Sequence, residues 1–288
     1  MKKNKTNRAL ILPTIGPATF VLLLFFLLPL GAILFFSFMT RGDFGAVIYS
    51  FTLDNYIRIL QPSFYMPFFR SMGYTIATVL ISLIITYPLA YWLAFYGGRM
   101  RMVWLFLFII PFWTSHLVRI YAWMFILRDS GLINLTLGRL GLITEPLNML
   151  FTPGAVVLGL VYSYFTFMLL ALFSSLDRMD KSVQEAAVDL GASPFQRLLK
   201  VTLPMTKGGI IAGSVLVAVP TLGDYIVPDL LGGARVSMIG NVVADAFLRF
   251  ANWPFGSALG LVLGAIVLII ILAYMKFAGR ESLEREII

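Results

Sequence analysis

The sequence predicts an all-α polytopic membrane protein with six transmembrane helices. Three observations lead there. Of 288 residues, 59% are hydrophobic and 12% charged, with a mean hydropathy of +0.89. An ordinary soluble domain carries about 25% charged residues. The charge-free stretches are long enough to cross a bilayer. Lysine and arginine also divide unevenly between alternate connecting segments, as insertion requires.

The charge-free windows run 9–40, 71–98, 102–118, 146–176, 208–223 and 250–275. At 1.5 Å per residue, about 20 helical residues span a hydrocarbon core of about 30 Å. Four windows exceed that length. The third reaches it only by continuing past His116 and Arg119 to about Ile126. The fifth must begin near Met205 or carry Asp224 at its end. The first window follows Lys2, Lys3, Lys5 and Arg8 but continues to Thr40 with no small-residue cleavage site, which reads as a retained helix rather than a signal peptide. With the N-terminus inside, fourteen of the 22 Lys and Arg residues, including every lysine, fall on the cytoplasmic side, so both termini and the 177–207 loop are expected there.

Between spans, Thr52 is placed to cap a short helix whose first turn contains Asp54. Residues 127–149, with Gly131, Asn134, Gly138, Gly141 and Pro146, read as short pieces broken by turns. No internal repeat or low-complexity linker appears, so residues 1–288 are expected to form a single transmembrane domain. Zero cysteines exclude disulfides and thiol chemistry, and one histidine, His116, leaves no cluster for a metal. The formal charge of +8 is accounted for by topology and calls for no nucleic-acid partner.

The stretch from Gln184 to Lys207 is more patterned than a return loop needs to be. Ser182 and Glu185 have capping-box spacing. A short helix is expected to Leu190, with the small Ala186 and Ala187 allowing close approach and Gly191 ending it. Ser193-Pro194 opens a second helix. In it Phe195, Leu198, Leu199 and Thr202 fall at i, i+3, i+4 and i+7 on one face. Pro204 and Gly208-Gly209 mark the turn into the fifth span. An interfacial helix pair lying on the membrane would explain the pattern; so would a docking helix for a soluble partner.

Glu185-Ala186-Ala187, Gly191 and then Val201-Thr202-Leu203-Pro204 resemble the EAA loop of ABC importer permeases. FTLDNY at 51–56, PFWTSHLVRIYAW at 111–123, SSLDRMDKSVQEAAVDLGAS at 174–193, PTLGDYIVPDLLGG at 220–233 and IGNVV with NWPFG at 239–256 are similar to the spermidine/putrescine importer permeases. The resemblance covers about residues 51–256, with Ala171 standing where that family often has proline. It implies a type I, MetI-like permease fold with a coupling loop at 182–204, in which Glu185, Ala186, Ala187, Gly191, Leu203 and Pro204 meet an ATPase. It further implies a second permease of the PotC kind, two ATPases of the PotA kind and a periplasmic polyamine-binding protein of the PotD kind, in the bacterial inner membrane.

A polyamine path calls for carboxylates, oriented carbonyls and aromatic faces. Asp224, Tyr225 and Asp229 stand at the end of the fifth span, where Gly223 and Pro228 interrupt the helix and expose carbonyls. Tyr162 and Tyr164 lie in the fourth span, and Asp245 is a further candidate. The alternatives are that Asp224 and Asp229 lie in solvent or pair with Arg235 or Arg249, that Asp245 pairs with Arg249 at i+4, and that the tyrosines only satisfy neighbouring helices. Trp113, His116, Arg119, Tyr121 and Trp123 read as an interfacial aromatic and basic group. Arg119 is expected in an ion pair or against an acidic patch of the binding protein.

No GxxxxGK[ST] pattern is present, so ATP and magnesium are expected on the partner ATPases and no cofactor on this chain. No nucleophile-base set suggests an enzyme. A secondary transporter would need coupling-ion residues deep in its spans, which are nearly charge-free. The nearer alternative is a related ABC importer permease for another small cationic or organic solute.

Overall fold

Helices account for nearly all of the regular structure in the computed structural model, which describes residues 6–286. Lys2, Lys3 and Lys5 lie outside the described residues, as do the side chains of Arg8, Lys181, Arg280 and Arg285. The chain begins with α1 (Thr6–Ser37), a hairpin β1 (Thr40–Arg41) and β2 (Val47–Ile48), then α2 (Asp54–Ile59) and α3 (Pro62–Tyr96). Next come α4 (Arg101–Ile109), α5 (His116–Leu127), α6 (Leu132–Arg139) and α7 (Pro153–Asp177). The short helices α8 (Lys181–Asp189), α9 (Pro194–Arg197) and α10 (Leu203–Met205) lead into α11 (Lys207–Gly223). The last two helices are α12 (Ile239–Leu248) and α13 (Trp253–Glu286).

Four stretches are long and apolar enough to cross a membrane: Thr19–Ser37, Pro62–Tyr96, Pro153–Asp177 and Trp253–Lys276. Two bent pairs raise the number to six if each is one span: Gly98–Trp113 with His116–Arg139, bent by 88°, and Pro194–Met205 with Lys207–Gly223, bent by 68°. The third span does continue past Arg119, as expected, but in two helices rather than one. Pro111 tightens the end of the first half into a 3-10 turn, and Thr114 and Ser115 adopt extended backbone. The expected turn into the fifth span, between Pro204 and Gly208, is present at Thr206. The second span begins at Pro62, ahead of its charge-free window, because the helix runs on through Arg70.

The chain divides into two compact units, Met1–Gln61 with Val243–Ala265 and Pro62–Val242 with Ile266–Ile288. In the first, Asn55 donates from Nδ2 to the carbonyls of Ser37 and Met39, at 3.0 and 2.9 Å, and ties α2 to the end of α1. The expected Thr52 cap is corrected: the N-cap is Leu53, and Thr52 Oγ1 instead accepts the Asp54 N–H at 3.1 Å in a turn just ahead of the helix. Arg41 reaches the Phe250 carbonyl at 2.7 Å.

In the second unit α3, α7 and α11 pack together around Leu93, Met168, Leu169, Leu172, Leu176 and Val217. Lipid is as apolar as leucine, so close packing rather than water exclusion must hold such helices together. α11 supplies it with Gly209 and Gly213, one turn apart. A Cβ on Gly209 would overlap Ser175, and one on Gly213 would lie 2.6 Å from Met168 Sδ. α7 runs unbroken through Ala171. Arg101, opening α4, pairs with Asp177, closing α7.

Candidate functional site

Two constellations in the second unit collect most of the residues singled out above. The first is the segment from Asp180 to Lys207. Its N-cap is Asp180, not Ser182: the Asp180 carboxylate accepts the Ser182 N–H at 2.9 Å. The expected Ser182–Glu185 box is corrected for a simple reason. The helix starts two residues earlier, so Ser182 already lies inside it, while Glu185 is exposed. The hydrogen bond from Ser182 holds the Asp180 carboxyl below its ordinary range. α8 ends in a Schellman motif, with Gly191 at φ +78°, its N–H on the Val188 carbonyl and the Ala192 N–H on the Ala187 carbonyl.

Glu185 and Ala186 face outward, whereas Ala187 and Gln184 are buried, so the two alanines occupy opposite sides of α8. Ser193 and Gln196 form the capping box that opens α9, with Pro194 at its first position. The expected single apolar face of that helix is also corrected. A π-turn over Leu198–Thr202 inserts extra rotation, leaving Phe195 and Leu199 exposed and turning Leu198 and Thr202 inward. Leu203 packs on the α3–α7 core, and Pro204 is exposed.

The second constellation lies where the first bent pair breaks, against the end of α11 remote from the 68° bend. α11 stops at Gly223, and Asp224 follows in extended backbone with its side chain almost fully buried. Oδ1 accepts the N–H groups of Ile226 and Val227, at 2.9 and 3.1 Å. Oδ2 accepts the Tyr164 hydroxyl at 2.8 Å and has His116 Nε2 at 3.7 Å. The carboxylate thus joins the first residue of α5, the middle of α7 and the end of α11. Ionisable groups inside a bilayer are expensive unless paired, and here each oxygen has a partner from this chain.

The aromatic rings of Phe112, Phe167, Tyr164 and His116 line one side of this cluster, and Tyr162 meets Trp123 edge-on at 5.4 Å. Arg119 is buried with its guanidinium 5.4 Å from the Phe112 ring centre, and its Nε has no hydrogen-bond partner. Of the two expectations, an acidic-patch contact is corrected by this burial, since α5 turns Arg119 inward after the break at Thr114–Ser115, and no ion pair to it is present among the described residues. The carbonyls at the Gly223–Asp224 interruption are covered by Gly240, where any side chain would collide with them. Asn241 donates to the Tyr225 carbonyl at 3.0 Å. These contacts correct the expected open carbonyls.

Tyr225 and Asp229 are exposed. Asp245 lies in the other compact unit and pairs with Arg249 at 2.9 Å. A separate cavity of 730 Å³, with Arg128, Asp129, Asn148 and Arg235 in its wall, contains none of the candidate residues. His116 was the residue undervalued from sequence. A histidine in one span and an aspartate at the end of another, each within a stretch poor in acidic groups, were the available signal for a pair. No group of His, Asp and Glu able to hold a metal occurs among the described residues.

Long apolar helices, two bent pairs and a structured polar segment between α7 and α11 are the features of a polytopic membrane protein. The chain belongs to the family described as binding-protein-dependent transport system inner membrane component, whose model matches residues 86–280. It is 42% identical over 255 residues to the spermidine/putrescine transport system permease protein PotB of Escherichia coli K12, covering 88% of this chain and 93% of that one. Solved structures share the fold at low identity. The bacterial alginate ABC transporter in complex with its alginate-bound periplasmic protein gives a TM-score of 0.79 at 16% identity, covering 96% of both chains. The inward-facing MetNI methionine ABC transporter gives 0.57 at 15%, covering 80% of this chain and 99% of that one.

Proposed function

We propose that this chain is a transmembrane permease subunit of an ATP-driven importer of spermidine and putrescine. It forms half of the translocation path and passes the work of ATP-hydrolysing subunits to its spans. Substrate class rests on the likeness to PotB. The observation that carries the coupling role is α8, a nine-residue helix with both ends capped and Glu185, Ala186 and Val188 presented outward. A connector needs no such surface; a docking helix does.

On this reading the 177–207 segment and both termini are cytoplasmic, in agreement with the distribution of lysine and arginine. The partners are a PotC-like permease, two PotA-like ATPases that hold ATP and magnesium, and a PotD-like binding protein. Glu185, Ala186, Gly191 and the exposed Pro204 meet or shape the ATPase contact, while Ala187 and Leu203 seat the segment on the spans. The proposed substrate path draws on Asp224, Tyr164 and Tyr162 at the break, with Tyr225 and Asp229 exposed beside it. Asp245 belongs to the other compact unit, where it pairs with Arg249, and is left out of this path.

The test is uptake of radiolabelled spermidine and putrescine by the reconstituted complex, together with stimulation of its ATPase by the loaded binding protein. Glu185→Ala is expected to assemble and to lose stimulation. Native stimulation in that variant would sink the docking role, and absence of ATP-driven uptake of either amine by the native complex would sink the substrate assignment.

A further inference from the structure

A continuous hydrogen-bonded chain runs from α8 to α3, and all four of its side chains are buried. Gln184 and Tyr87 are each 7% exposed, Thr202 and Thr206 not at all. Gln184 donates from Nε2 to Thr202 Oγ1 at 2.8 Å. Thr202 passes its own proton to the Arg197 carbonyl at 3.3 Å. Thr206 Oγ1 donates to the Thr202 carbonyl at 2.8 Å, which uses its one proton. The 2.9 Å contact between Tyr87 and Thr206 must then have the Tyr87 hydroxyl as donor. Every link has a defined direction, and two branches meet at one residue: the Thr202 hydroxyl receives α8, and the Thr202 carbonyl receives α3 through Thr206.

Position reinforces this. Thr202 closes the π-turn, where the Leu203 N–H reaches back five residues to the Leu198 carbonyl. That extra rotation turns the hydroxyl inward, and single π-turns inside helices recur at functional positions. Thr206 sits at the 68° bend before α11. A bend is where a push on α8 would ordinarily dissipate. Here it is bridged to Tyr87, which belongs to the same packed core as Leu172 and Val217. A buried donor or acceptor left unpaired is costly.

We infer that Thr202 is the mechanical junction of this permease, locking α8 to α3 so that displacement of the docking helix moves the second span as one body with it. Gln184, Thr206 and Tyr87 are positioning residues of the same device. The inference rests on the coupling role proposed above. Satisfied buried polar groups are common in any fold; what sets this chain apart is that it crosses a helix break and ends on a different span.

The chain has no cysteine, so nitroxide pairs can be placed by Ser182→Cys with Tyr96→Cys in the reconstituted four-component complex. Their distance, read by pulsed electron resonance without nucleotide and trapped with ATP and vanadate, is expected to stay the same in the two states. Adding Thr202→Val is expected to make it differ between states, Thr202→Ser to restore it, and Tyr87→Phe to reproduce the valine effect from the other end. Spermidine imported per ATP hydrolysed is expected to fall about fivefold in Thr202→Val, the factor carried by one buried hydrogen bond of ordinary net strength.

A distance that changes between states in the native background, or an unchanged distance and transport ratio in both Thr202→Val and Tyr87→Phe, overturns the junction. If Glu185→Ala uncouples while those variants do not, the junction fails and the docking role stands. If Glu185→Ala leaves ATPase stimulation intact, the docking role fails and the junction falls with it.

Discussion

Replacing Tyr164 by phenylalanine removes one oxygen and leaves the ring. Asp224 Oδ2 loses its 2.8 Å donor and retains only His116 at 3.7 Å, while Oδ1 still accepts from Ile226 and Val227. A hydrogen bond to a charged group contributes about 1.5–3 kcal/mol, and this carboxylate is buried, so no solvent exposure discounts the loss. Tyr164→Phe is therefore expected to destabilise the protein by about 1.5–3 kcal/mol, about 10- to 150-fold in the unfolding equilibrium. Tyr162→Phe, two residues away on the same helix, provides the comparison. Tyr162 packs edge-on against Trp123, a contact that phenylalanine keeps, so a change within about 0.5 kcal/mol is expected. Steric-trap unfolding in detergent micelles measures both. Equal losses in the two variants, or none in Tyr164→Phe, would refute the view that Tyr164 holds the buried carboxylate.

Adjacent glycines in α11 should respond with opposite sign. Gly209→Ala puts a methyl into Ser175 and is expected to cost about 1–3 kcal/mol by overpacking; Gly208→Ala meets nothing within 4 Å and is expected to stabilise by about 0.5–1 kcal/mol through helix propensity. The midpoint of thermal unfolding in detergent orders the two. The cap of α8 should depend on pH: because the folded-state pKa of Asp180 is depressed, its contribution is complete above the ordinary carboxylate range and is lost as pH falls through the lowered value. Hydrogen exchange, corrected for the intrinsic rate, should show the first turn of α8 loosening in acid, and Asp180→Ala should loosen it at neutral pH.

Charge-free windows revealed the long helices because span length is set by bilayer thickness, a property of composition. They did not reveal the breaks. Thr114 and Ser115 carry no strong helix-stopping signal, and the 88° bend depends on where α5 finds its partners. Turn chemistry was legible where the residue type dictates it, as with Gly191 and Ser193-Pro194. It misled at Ser182, where two residues of suitable type compete for the cap and the stronger acceptor, Asp180, takes it. Heptad-like spacing over Phe195–Thr202 assumes 3.6 residues per turn, and a π-turn breaks that assumption without a mark in composition. The pairing of His116 with Asp224 joins residues more than a hundred positions apart, so only tertiary structure can supply it.

The two breaks also bear on how this protein is made. The piece Gly98–Trp113 is about 24 Å long and α11 about 25 Å, each short of the roughly 30 Å of hydrocarbon that a lone helix must cross. Both lean on longer neighbours, α4 against α3 and α11 against α3 and α7. α3 is synthesised before α4, but α7 emerges after α5, and α11 after both. The first half of the third span thus finds α3 already made, while its second half, α5, meets α7 only later. Biogenesis of this chain is a matter of order of arrival as much as of hydrophobicity.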